Sequence, residues 1–438
     1  MKTPVLSFSF LLGALVAAGL PVAAAPTILP ASQNAKPILL TGGRVVPVSG
    51  PALDRGDVLF RDGRIVAVGA KIAAPAGAEV IDVQGRRVYP GLIAAHSQLG
   101  LIEVSGLRQT VDIAENSAIN PNVRAQLALN PDSDHLPVTR ANGILTALSV
   151  PASRAGTGAR ANLIAGSSVL IRLDGWTWED LTLRPALAMH VYWPTLASSG
   201  EGGRRGGAGG GGGQGAAAEV RLLDEAFAQA RAYAKAKAAA GRPVDTDLRW
   251  EAMLPVLRGE QPLFVHADEV KQIRAALAFA RRQALKITIV GGIDAWRLAE
   301  ELKAAEVAVV ITGTDRLPLR RDDDFESAYA NPARLHAAGV RFCIAGEGTG
   351  DFGKDRNLGL YAARAAAHGL PPEQALRAVT LSAAEILGVA GELGSLEPGK
   401  RATLIVTDGD PLEVATRVTM AWIDGARIQS KSTCTAAM

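Results

Sequence analysis

Apolar and polar positions alternate in three short stretches near the start of the chain: ILLTGGRVVPV (38–48), DVLFRDGRIVAVG (57–69) and EVIDVQGRRVYPG (79–91). Each carries β-branched residues at period two, broken by Gly or Asp-Gly, which predicts strands joined by tight turns. The step Arg61-Asp62-Gly63-Arg64 is a hairpin signal. The same pattern returns at the other end in GSLEPGKRATLIVTDGDP (394–411) and RVTMAWIDGARI (417–428). Two β segments of like character on either side of a long middle predict one small β-sandwich built from both ends, residues 26–88 and 391–431.

The middle, 89–390, changes period. Continuous apolar runs, GILTALSV, PLFVHA, KITIVGG, VAVVITG and VRFCIAG, read as buried strands of a parallel sheet. Between them lie helical stretches such as DEVKQIRAALAFARRQ, IDAWRLAEELKAA and NPARLHAAG. Repeated strand–helix units over this length predict an α/β fold, a (β/α)8 TIM barrel rather than an open doubly wound sheet. No G-x-G-x-x-G follows the first strand, which argues against dinucleotide binding. Residues 199–215, SGEGGRRGGAGGGGGQG, bury too little to offset the entropy of ordering and are expected to form a flexible insertion.

Composition refines this picture only at the edges. A hydrophobic fraction of 48% supplies a large core, and a net charge of +3 without a basic, aromatic-interleaved stripe excludes a nucleic-acid footprint. Lys2, the apolar run VLSFSFLLGALVAAGL and the small residues of PVAAAP have the layout of a secretory signal over residues 1–25. Export, to a bacterial periplasm, is therefore expected. No later segment is apolar enough to span a membrane, so no membrane association is expected after signal removal. Cys343 in VRFCIAG reads as a buried strand residue and Cys434 lies in a polar tail; both are expected to be unpaired. A small-molecule substrate and a homodimer are the default expectations for partners.

The chemistry concentrates in a few places. PGLIAAHSQLG (90–100) closes the first predicted barrel strand with His96 and Gln98; FVHADE closes another with His266, Asp268 and Glu269; FCIAGEG ends at Glu347. With the β-rich start and the closing LSAAEILGVAGELGSLEPGKRATLIVTDGDPLE, these stretches resemble the amidohydrolase superfamily, in its imidazolonepropionase-like branch. The resemblance covers essentially the whole mature chain. It implies a metal-activated water attacking a C–N bond, with ligands at the C-terminal ends of barrel strands: His-x-His on the first, single His residues on the fifth and sixth, and an Asp on the eighth.

Against that pattern His96 holds the first position and His266 the fifth-strand one. Gln98 replaces the second imidazole, and an amide oxygen is a far weaker zinc ligand. Gly291 and Gly292 stand where the sixth-strand His belongs, and Glu347 replaces the Asp on a longer arm. His190, in LRPALAMHVYWP, falls near the fourth-strand position. The resemblance thus implies one divalent metal, zinc, bound weakly by His96, His266 and Glu347, with Glu347 as the catalytic carboxylate. Gln98, His190, Asp268 and Glu269 are the candidate pocket residues.

Structural roles compete with each of these. A histidine on an apolar strand is ordinarily a satisfied core residue, and only its motif position makes His96 a ligand candidate. Glu347 lies in a Gly-rich turn that suits a loop carboxylate equally well. His135 is expected in a loop, His336 and His368 on or at the end of helices. The two tryptophans of DGWTWED (174–180) read as a cover for the barrel rim, and RRDDDFESAYANP (320–332) as a solvated charge run. Two functions of different class remain: a hydrolase of C–N bonds in amides, cyclic amides or small peptides, and a non-catalytic binding or interaction module descended from such an enzyme.

Overall fold

The computed structural model describes residues 30–32, 36–153, 162–195, 212–239, 244–347 and 354–428. The signal-like segment 1–25 and Cys434 lie outside the described residues, as does the Gly-rich stretch up to residue 211; its last residues, from Gly212 on, open the helix Gly212–Ala238.

Five strands come first: β1 (Ile38–Val45), β2 (Leu53–Arg61), β3 (Arg64–Gly69), β4 (Glu79–Asp82) and β5 (Arg87–Pro90). The middle of the chain contributes β6 (Leu92–Ser97), β7 (Ile144–Ser149), β8 (Ile164–Ser167), β9 (Val169–Arg172), β10 (Thr182–Arg184), β11 (Met189–Tyr192), β12 (Leu263–Ala267), β13 (Ile287–Gly291), β14 (Ala308–Thr312) and β15 (Phe342–Ala345). The last three are β16 (Leu404–Thr407), β17 (Val418–Ile423) and β18 (Ala426–Ile428).

The two ends of the chain share one sheet of order β18-β17-β16-β5-β1-β2-β3, with β4 paired to β1. The join is the antiparallel pairing of β5 with β16, Tyr89 opposite Ile405 and Val88 opposite Val406. Fully buried Trp422 of β17 meets Phe60 of β2 edge-on, with ring centroids 5.7 Å apart. This contact ties residues more than three hundred positions apart into one small core.

The middle of the chain is a mixed α/β fold. Strands β11 to β15 pair in chain order, each parallel to the next, and β6 pairs parallel with β7. β15 packs beside β6, which brings the two sheets together at that side. Burial explains why these strands read as unbroken apolar runs: β6, β7 and β15 are buried at every position. Helices cover the outer face. Phe279 of Val270–Gln283 meets Phe227 of Gly212–Ala238 and Trp193 edge-on, at 5.2 and 5.4 Å.

The structure departs from an all-parallel arrangement at one place. β9 runs antiparallel to β7, and β8 antiparallel to β11; the two segments are separated by Ser168 alone. A parallel neighbour needs a crossover that carries the chain back across the sheet. No helix lies between β7 and β8 among the described residues, so the next strand starts at the end where β7 finished and runs the other way.

Three local readings also change. His135 opens the helix His135–Arg140 rather than sitting in a loop. Thr177 and Asp180 of DGWTWED form a reciprocal capping box on the helix Trp178–Leu181, which leaves Trp176 exposed while Trp178 packs on the core. The run 320–332 is a tied network rather than a merely solvated face, with Arg320 bonded to buried Asp294 and to Asp323. Cys343 is free and buried on β15. Among the described residues no helix is long and apolar enough to cross a membrane.

Trp422→Ala tests the composite sheet. It removes the largest side chain of a core shared by both chain ends and is expected to cost about 3–5 kcal/mol. Urea unfolding followed by circular dichroism measures this, and an unchanged midpoint would show that the two ends do not depend on that contact.

Candidate active site

Three histidines converge from β6, β11 and β12, with His96 and His266 next to the last residue of their strands and His190 second in β11. His190 and His266 lie on adjacent parallel strands, His266 opposite Tyr192 and His190 opposite Phe264, so their side chains emerge on one face two positions apart. Their rings are 5.2 Å apart, and His190 Nδ1 and His266 Nε2 share a hydrogen bond of 2.9 Å. The ring of His96, at the end of β6, is 5.4 Å from that of His266. Tyr192 stacks on His266 at 3.9 Å and donates its hydroxyl to the carbonyl of Pro151, which fixes the imidazole plane from one side.

Burial sets the charge state of these rings. Desolvation lowers His96 to about 4, opposed by its hydrogen bond with the Gly346 backbone. The same effect, reinforced by neighbouring imidazoles, holds His190 and His266 well below the usual histidine range. All three are neutral at pH 7. His96 Nδ1 and His190 Nε2 are buried without a hydrogen-bond partner, and so is Oε1 of Gln98.

Beside the histidines, three strand ends carry glycine, and a carboxylate from elsewhere occupies the room each one leaves. Gly291 closes β13 with φ +99°; a Cβ there would collide with Asp268 Oδ1. Gly313 follows β14 with φ +71°; the site of its absent Cβ is 2.8 Å from Glu347 Oε1 and 3.0 Å from Arg316 Cδ. Gly346 follows β15, and Asp355 Oδ1 lies 2.6 Å from where its Cβ would stand. Asp355 Oδ2 accepts from Ser97 Oγ at 2.6 Å, tying this carboxylate to the end of β6. Asp268 Oδ1 has no hydrogen-bond partner, and burial raises its carboxyl to about 6 against the opposing charge of Arg316.

These positions revise the expected ligand set. His96 and His266 come together, and His190 joins them directly through His266. Glu347 does not: it turns toward Gly313 and Arg316. Among the described residues no three His, Cys, Asp or Glu side chains form a group able to hold a metal ion. The His190–His266 bond turns one nitrogen of each ring toward the other instead of toward a shared ion. The residues present therefore do not fit the zinc centre expected of His96, His266 and Glu347, despite the unpartnered nitrogens on His96 and His190. Glu269 occupies the N-cap of the helix Val270–Gln283, where Gln272 Oε1 accepts from the backbone N–H of both Asp268 and Glu269.

The profile of the amidohydrolase family matches residues 260–428, which include β12 to β18. Imidazolonepropionase from Acidiphilium cryptum is 26% identical over 408 residues, 86% of this chain and 92% of that protein. The match places residues 260–428 in the amidohydrolase family. The chain's curated relatives include further imidazolonepropionases, one of them, from Cereibacter sphaeroides, 32% identical over 162 residues, 36% of this chain and 38% of that protein. Amidohydrolase tasK of Hapsidospora irregularis is 26% identical over 404 residues, 84% of this chain, but the match spans only 39% of that protein. Among solved structures, an amidohydrolase from Thermotoga maritima superposes with a TM-score of 0.77 at 24% identity, covering 90% of this chain and all of that one, which supports the same fold.

Several residues of this site escape a reading of the sequence alone. Tyr192 sits two positions after His190 and so shares its strand face, a signal available only once the segment is known to be a strand. Arg316 lies on a loop, and Asp355 opens the short 3-10 helix Asp355–Asn357. Arg316 is held in a segment anchored on both sides, by Asp315 to Arg364 at 2.6 Å and by Arg320 to Asp294 at 2.6 Å. No regular spacing marks either residue in advance.

The buried imidazoles predict a pH dependence of stability. His96 binds a proton near pH 4 when folded and near 6.5 when unfolded, so its contribution is complete above about 6.5 and is lost as pH falls toward 4. Asp268 acts with the opposite sign, since its folded value of about 6 exceeds the ordinary 3.8; its contribution is lost as pH rises toward 6. Three histidines against one carboxyl leave a net fall below pH 6.5, with each uncompensated imidazole worth up to about 1.4 kcal/mol per pH unit. His96→Asn is expected to flatten urea-midpoint profiles between pH 6.5 and 4.5; an unaltered profile would mean that His96 protonates freely in the folded chain.

Proposed function

We propose that this chain is a hydrolase of the amidohydrolase type that cleaves the C–N bond of a small amide, cyclic amide or short peptide at the C-terminal ends of β6 and β11 to β15. One observation carries the reading: neutral His96, His190 and His266 meet on adjoining strands, and Asp268, two residues beyond His266, keeps its Oδ1 unpartnered. The strand order, with β15 beside β6, supports a (β/α)8-type barrel whose eighth neighbour relation is closed by packing, joined to a β-sandwich from both chain ends. The leader-like N-terminus supports export to a periplasm, and a homodimer is the default assembly.

In this reading the chain's own groups handle the proton. Asp268 takes a proton from water as its oxygen attacks the amide carbonyl carbon. The C–N bond then breaks, and the same carboxyl returns the proton to the departing nitrogen, giving a carboxylic acid and an amine. A carboxyl held near 6 suits both directions of transfer close to neutral pH. Tyr192 and His190 hold the His266 ring in place as a hydrogen-bonding wall for the substrate. Arg316, whose Nε is buried and unpartnered, faces Asp268 as the compensating charge.

The second reading, a non-catalytic binding or interaction module, is favoured by the lack of any metal-holding group among the described residues. Amine release from a panel of N-acyl amino acids, cyclic imides and dipeptides separates the two. Turnover is expected in the wild type, reduced by roughly two orders of magnitude in Asp268→Asn. Binding without turnover across the panel would establish the module reading. Equal rates in wild type and variant would remove Asp268 from the chemistry.

A further inference from the structure

We infer that Asp268 occupies the space in which a ligand on β13 would stand, and that the pocket is organised around this carboxylate and works without a divalent metal ion. The inference deepens the hydrolase reading and rests on it for the chemistry alone; the geometry stands by itself.

The first support is steric. Gly291 lies in the left-handed region, where side-chain-bearing residues are strained, and the Asp268 carboxylate fills the volume its side chain would need, with Cγ 3.1 Å from the absent Cβ. A metal donor on β13 at this level would have to displace Asp268. The neighbouring strand ends repeat the arrangement: Glu347 fills the room at Gly313, and Asp355 that at Gly346. Asp355 is already committed to Ser97 Oγ, Glu347 Oε1 lies at Gly313, and among the described residues neither completes a group able to hold a metal ion.

The second support lies in the imidazoles. His190 Nδ1 and His266 Nε2 are 2.9 Å apart and share one proton-bearing hydrogen bond. Two nitrogens bound to one tetrahedral zinc at ordinary Zn–N lengths would stand about 3.3 Å apart, both as bare lone pairs. In such a bond one nitrogen of the pair carries the proton and is closed to ligation, which leaves His190 Nε2 as that ring's free nitrogen. The third support is that a carboxylate oxygen is among the unmet groups of the site, with His96 Nδ1, His190 Nε2 and Gln98 Oε1. Asp268 Oδ1 is without a partner, ready to accept from a substrate N–H or a water. Arg316 is close enough to favour the ionised carboxylate without forming an ion pair with it.

The test uses the full chain purified without chelator, incubated with excess zinc and desalted. Metal analysis is expected to find roughly a tenth of a zinc per chain or less, and the melting temperature to be the same with and without EDTA. Asp268→Ala should leave the metal content equally low. Stoichiometric zinc in the wild type, lost in His266→Ala or Asp268→Ala, would overturn the inference. Turnover that survives EDTA supports it, and turnover abolished by EDTA and restored by zinc overturns it while leaving the hydrolase reading intact. Absence of any turnover in a metal-free protein would refute the hydrolase reading and leave the metal-free pocket standing.

Discussion

Everything at the candidate site depends on room made at three strand ends. Glycine closes or follows β13, β14 and β15, and each missing side chain admits a carboxylate carried by another segment. Close packing leaves such room unused only at a cost, so a side chain lost from a strand end is replaced by whatever neighbouring group can reach it. Here the replacements are Asp268, Glu347 and Asp355. They turn the lip of the sheet from a set of strand-borne donors into a ring of loop-borne acids with Arg316 among them. The pocket's chemistry follows from that exchange more than from any single substitution.

The histidines answer to a different force. His96, His190 and His266 come from strands buried on both faces, where an imidazolium would be stripped of water. Desolvation keeps them neutral, and neutrality permits the His190–His266 hydrogen bond, since two charged rings would repel. Stacking by Tyr192 then orients His266. The result is a rigid, uncharged wall next to an accept-only carboxylate, an arrangement suited to holding a neutral amide and moving one proton.

Much of this lay open in the sequence. Strands β7 and β12 to β15 were visible as apolar runs because strands buried on both faces have no polar side to show. The terminal strands were visible as alternation because their sheet has one. His96 and His266 stood out at strand ends in a recognisable order. What could not be read were side chains whose position depends on a loop: Glu347 reads as a ligand from its place after FCIAG, yet an extra methylene and the gap at Gly313 send it toward Arg316. The reversed direction of β8 and β9 was equally hidden, since a buried strand has the same composition in either direction.

The sequence by itself therefore determined the mixed α/β class of fold and the amidohydrolase resemblance, because those depend on residue type and on periodicities of two and 3.6. Only the tertiary structure decided what fills the vacated space, which nitrogen of His190 faces which of His266, and that Oδ1 of Asp268 is left without a partner. These are matters of distance between segments remote in sequence, and a gap of a few ångströms between a glycine and a distant carboxylate leaves no trace in the order of residues along the chain.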